Sequence, residues 1–181
     1  MDAALAALRS AFRLHFPALA RRQAGVLGLV WPTEVGVFLV TDGYDPFGAY
    51  SHPLTVDVSR VAPDELCETV LHELTHVGDL HTGALGRECL GARLLGRLAD
   101  QGVSRRRAWD AWHAVVFAAS GQTVRELVDP GHSDYAARRG LYGRFGLPDL
   151  PGLWADLTAS RLDERGFLDA VAARVRGAAP T

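Results

Sequence analysis

Residues 64–80 read DELCETVLHELTHVGDL, and the rest of the chain is interpreted outward from this stretch. Pro63 and Asp64 make a good helix start, because proline cannot continue a preceding ladder and an acidic first turn suits the helix dipole. The spacing predicts a helix from about Asp64 to about Gly78 or Leu80. At about 100° per residue, Thr69, His72, His76 and Asp79 share one side, flanked by Leu66, Val70 and Val77. His72-Glu73-Leu74-Thr75-His76 is an H-E-x-x-H pentapeptide. Its two imidazoles lie four residues apart on one helix face and can grip a single ion, while Glu73 falls about 100° further round. Two imidazoles suit zinc, and a nearby carboxylate that is not a ligand suits a general base.

A catalytic zinc usually takes three protein ligands and leaves its fourth position to water, so a third ligand is sought elsewhere. His113 is the first choice, because a helix capped by Ser104 sets it beside Trp109, Val116 and Phe117 on an apolar, inward-facing side. Glu88 is the second, near the start of the intervening helix. His81 is the third, reached if the chain turns tightly at Gly78. His132 and His52 are weaker, being in loops. Asp79, one turn beyond His76, is read as an acceptor for an imidazole N–H. Tyr135 and Tyr142 are candidate donors to an oxyanion. With zinc in place, the pKa of its water falls towards about 7, a carbonyl is polarised, and Glu73 carries the water proton to the leaving amine.

Before the motif, Leu5, Leu8, Phe12 and Phe16 predict an amphipathic helix ending near Pro17. Val26–Trp31, Val35–Thr41 and Leu54–Val58 read as short strands, with a turn-rich stretch at Asp42–Pro46. They predict a small sheet of about three or more strands. After the motif come helices over Arg87–Asp100 and from Ser104 to about Ala119, ahead of Gly121. Residues 130–152 read as loop with brief turns of helix. Leu153, Trp154 and Leu157, then Phe167, Leu168, Val171 and Val175, predict two closing helices. The expected fold class is α+β: one domain over residues 1–181, with an N-terminal sheet, an active-site helix and a mainly helical C-terminal half.

Composition narrows the chemistry. The chain has 181 residues, 48% of them hydrophobic and 22% charged, which is the balance of a folded globular protein. A net charge of -2 gives no reason to expect a nucleic-acid partner. All of its basic residues are Arg, so neither a Schiff-base lysine nor a P-loop lysine is available. Cys67 and Cys89 are too few and too far apart for a disulfide framework or a C-x-x-C zinc site, and read as buried thiols. Asp2, Arg9, Arg13 and His15 interrupt the apolar residues of the amino terminus, so neither a signal peptide nor a membrane span is expected and the default location is cytoplasmic. No G-x-S-x-G motif is present, which leaves serine hydrolysis unsupported.

At His72–His76 the chain resembles the zincin superfamily of metallopeptidases. Leu54–Val58 looks like the edge strand that borders the cleft in that superfamily, where it pairs with an extended peptide. The resemblance implies His72 and His76 as zinc ligands and Glu73 as base. Two departures stand out. Gly78 and His81 each fall one residue early for the H-E-x-x-H-x-x-G-x-x-H pattern, and Glu88 lies closer to the motif than the later glutamate ligand of gluzincins. The reading is therefore a compact or divergent zincin: a zinc-dependent hydrolase, most simply a metallopeptidase acting on a peptide or protein, or one cleaving a non-peptide amide. The alternative is an inactive zincin-like module that binds a protein partner.

Overall fold

Helix α2, Leu66–Ala84, sits at the centre of the molecule, and three different neighbours cover its faces. The computed structural model describes residues 2–40, 54–57 and 65–178. The expected turn at Asp42–Pro46, together with His52, Val58 and the helix start at Pro63-Asp64, lies outside the described residues, as do the side chains of Leu5, Leu8 and Phe12. One stripe of α2, Leu66, Val70 and Leu74, packs against Val56. A second, Cys67 and Leu71, meets Leu19 and Val124. The third carries the histidines. Gly78 does not end this helix. Its missing Cβ admits Leu29, whose Cδ1 lies 3.3 Å from where a Cβ would stand. The Thr82 hydroxyl donates to the Gly78 carbonyl at 2.7 Å one turn later.

The helices around it are α1 (Asp2–Leu27), α3 (Leu90–Asp100) and α4 (Arg105–Leu127). Pro17 lies inside α1 rather than at its end. An interior proline costs about 3 kcal/mol, but the turns beyond it bury Leu19 and Leu27 completely, at about 1.5–3 kcal/mol for each side chain. Ser104 caps α4 as the sequence predicts, accepting from the Arg107 N–H at 3.4 Å. The helix nevertheless continues past Gly121. That glycine serves packing: a Cβ there would stand 2.3 Å from Cβ of Asp134.

The expected α+β class with an N-terminal sheet is overturned, because the molecule is mostly helical. Among the described residues there are only two four-residue strands, β1 (Val37–Val40) and β2 (Leu54–Asp57), paired in parallel with Val37 opposite Leu54. The run Val26–Trp31 is apolar for a different reason. Leu27 and Leu29 pack into the helical core, the Val30 N–H is taken by the Thr82 hydroxyl at 2.7 Å, and the Trp31 indole donates to the Ala20 carbonyl. Val26 and Leu27 are the last residues of α1, and the Gly28 and Leu29 N–H groups bond back to the Ala24 carbonyl, so these backbone donors are used without a ladder.

The remaining elements are α5 (Tyr135–Arg138), α6 (Leu141–Arg144), α7 (Leu150–Thr158) and α8 (Glu164–Gly177). α7 and α8 are the two closing helices expected from the apolar spacing. Their residues Trp154 and Phe167 meet edge to face at 5.7 Å within the largest core cluster. No described helix is long and apolar enough to cross a membrane.

Candidate metal centre

Glu68, His72 and His76 form one stripe of α2 at four-residue spacing, and all three are buried. Burial of this polar stripe needs partners, and α4 supplies one of them. His113 lies opposite the histidine pair. Its ring is parallel to that of His72 at 5.7 Å and edge-on to that of His76 at 4.8 Å. Trp109 and Phe117, one turn either side of His113, wall the cluster: Phe117 lies 4.1 Å from the His72 ring and Trp109 5.1 Å from His113.

His72, His76 and His113 offer ligand nitrogens that all lie within 4.8 Å of one another. Nε2 of His72 and Nε2 of His76 are 3.2 Å apart. That spacing permits an N–H···N hydrogen bond. It is also close to the separation of about 3.3 Å expected of two nitrogens held tetrahedrally at about 2.0–2.1 Å from one ion. Nδ1 of His72 is buried with no hydrogen-bond partner among the described residues. Burial and the neighbouring imidazoles hold His72 well below the usual histidine range, and burial with His76 beside it lowers His113 to about 4. Those two rings are thus neutral at physiological pH, the form that coordinates a metal. The donor set fits a borderline-soft divalent cation.

Glu73 follows His72 on α2 and is buried. Asp79 lies one turn beyond His76, with Oδ2 3.8 Å from Nδ1 of His76, and the same oxygen accepts from the Trp112 indole N–H at 2.9 Å. A cavity of about 170 Å³ opens beside His76, bounded by Leu80, Ala92, Leu95 and Trp109. It is largely apolar in lining and small beside the roughly 300–1,000 Å³ of drug-sized ligand sites.

The other candidates fall elsewhere. His81 lies on the opposite side of α2 from His72, since the helix runs on to Ala84 instead of turning at Gly78. Glu88 is exposed in the connection before α3. Neither belongs to the histidine group. His132 is buried 2.6 Å from Glu68, whose carboxylate also accepts from the Tyr135 N–H at 2.9 Å. Burial pushes the Glu68 carboxyl upward, while His132 and that N–H pull it down. Tyr135 stacks on Phe117 at 5.5 Å, one ring removed from His72, under the Arg139 guanidinium. Burial raises the pKa of the Tyr142 hydroxyl, and the nearby Asp134 and Glu68 carboxylates raise it further.

Sequence reasoning missed Glu68, although its position four residues before His72 puts it on the same helix face. It also missed Trp112, whose only sequence signal is adjacency to His113. β2 packs on the Val70 and Leu74 stripe, so the strand expected to border a cleft lies on the face of α2 away from the histidines. No protein-family model matches the chain, and neither does any curated protein or solved structure.

Proposed function

We propose that the chain is a zinc-dependent hydrolase of the metallopeptidase type, with His72, His76 and His113 as ligands and Glu73 as general base. The observation that carries this reading is the approach of His113, from α4, to the two histidines of the H-E-x-x-H motif on α2. A two-histidine motif met by a third inward imidazole supplies three ligands and leaves a fourth position open. When bound, zinc supplies Lewis acidity, lowering the pKa of water towards about 7 and polarising a carbonyl.

The residues of the chain do the rest. Glu73 takes the proton of the attacking water and returns it to the leaving nitrogen. Asp79 Oδ2 stands 3.8 Å from Nδ1 of His76, and on closing to hydrogen-bond range it would accept that N–H, fix the tautomer and direct Nε2 into the cluster. The walls of Trp109 and Phe117 exclude water and strengthen these interactions. The scissile bond in this reading is a peptide bond. A non-peptide amide is favoured instead by two observations, the position of β2 on the far face of α2 and the small apolar cavity beside His76.

The test is bound zinc and hydrolysis of a peptide pool and a panel of small amides, for the wild type and three variants. His72→Ala and His113→Ala are expected to lose metal, whereas Glu73→Ala keeps it and loses turnover. Stoichiometric zinc without turnover on any substrate would keep the metal centre and overturn the hydrolase, leaving the inactive module as the alternative. No stoichiometric zinc after reconstitution overturns the proposal.

A further inference from the structure

We infer that Trp112 is a positioning residue for this centre, holding Asp79 so that its carboxylate faces Nδ1 of His76. The inference rests on the reading of the three histidines as ligands. Its basis is one shared atom: Oδ2 of Asp79 accepts the Trp112 indole N–H at 2.9 Å and lies 3.8 Å from Nδ1 of His76. Indole nitrogen is a donor only, so it anchors the carboxylate without competing for the imidazole proton. The oxygen keeps lone pairs for His76, and a shift of about 1 Å brings that pair into hydrogen-bond range.

The surroundings are built for this indole. Trp112 is 1% exposed, and it precedes His113 directly on α4. Consecutive helix residues diverge by about 100°. The same helix therefore sends one side chain to the histidine pair and the next to the carboxylate behind it. Space for the ring depends on Gly91 of α3, where a Cβ would stand 2.7 Å from Cε2 and 2.8 Å from Cζ2 of the indole. A glycine in a helix costs about 1 kcal/mol relative to alanine, and here it lets α3 close over the ring.

The experiment is zinc competition against a chromophoric chelator for the wild type, Trp112→Phe, Asp79→Ala and the double variant, with unfolding of each zinc-free protein measured alongside. Loss of an outer hydrogen-bond partner weakens metal binding about 10- to 100-fold, which is the expectation for Asp79→Ala. Trp112→Phe keeps an aromatic ring, smaller than the indole, and removes the donor, and is expected to weaken binding about 3- to 10-fold, less than removal of the carboxylate itself. In the Asp79→Ala background the Trp112 change is expected to do nothing further. Zinc affinity unchanged in Trp112→Phe, or lowered by the same factor with and without Asp79, would reduce Trp112 to a core residue and overturn the inference. Absence of zinc binding by the wild type overturns the ligand assignment first.

The indole N–H resonance of the wild type gives a second measure that does not depend on a folded variant. It is expected to shift on zinc loading, as Oδ2 becomes shared with His76. An unmoved resonance on a zinc-loaded protein counts against the proposal.

Discussion

Replacing Gln23 by Leu removes a buried amide that joins three helices, and its cost can be worked from the contacts. Gln23 is 1% exposed on α1. Its Nε2 donates to the hydroxyls of Thr75 on α2 and Ser120 on α4, each at 3.1 Å, and its Oε1 accepts from the Thr123 hydroxyl at 2.9 Å. Three hydrogen bonds at about 1 ± 0.5 kcal/mol net give about 1.5–4.5 kcal/mol. Leu roughly conserves the volume, and the Ser120 and Thr123 hydroxyls can swing back to carbonyls of their own helix, which trims the upper end. The expected loss is about 2–3 kcal/mol, or a fall in Tm of about 4–12 °C for a chain of this size. The assay is urea unfolding with both far-UV and tryptophan signals, so that a change in midpoint is separated from a change in slope. Arg22→Leu is the matched control at the next residue. It breaks an exposed ion pair with Glu126, Arg22 Nε to Oε2 at 2.8 Å, and such pairs contribute about 0–1 kcal/mol. A Gln23→Leu loss below about 0.5 kcal/mol, or one no larger than that of Arg22→Leu, would refute the argument that this amide ties α1 to both histidine-bearing helices.

Zinc at about 100 times its Kd is expected to raise stability by about 2.7 kcal/mol, read as a Tm increase of about 5–11 °C that a chelator reverses and His72→Ala abolishes. Cys67 is buried, and burial with Glu68 beside it pushes its thiol up to about 11; a thiol reagent at pH 8 should therefore label it only as fast as the protein unfolds, and rapid labelling would contradict the packing. Glu68→Ala strands the Tyr135 N–H and His132, at a cost of about 2–4 kcal/mol, whereas Glu68→Gln retains an acceptor and should recover at least half of that in a thermal melt.

The part of this architecture that was legible in the sequence is the part governed by local pattern. The α2 motif and the α4 cap at Ser104 depend on neighbours three and four residues away, and the inward direction of His113 follows from the apolar residues around it. The sheet was misread because Val26–Trp31 is apolar for contacts made between helices, which a short hydrophobic run does not distinguish from a strand. Pro17 and Gly121 read as punctuation. Pro17 instead lies within a helix held by distant leucines, and Gly121 makes room for Asp134. The pairing of Glu68 with His132 and of Trp112 with Asp79 joins residues 64 and 33 positions apart. No periodicity within one helix encodes such pairs, since they depend on how the helices dock.

His76 and His113 lie about 37 positions apart, and the whole of α3 is contained between them. A cation held by both closes that stretch of chain into a ring, as a staple closes a fold of paper. Closure of this kind is entropically costly until α3 has packed and brought α4 onto α2. Metal uptake would therefore report completed docking of these three helices, and a chain in which α3 has come loose would release its ion along with its structure.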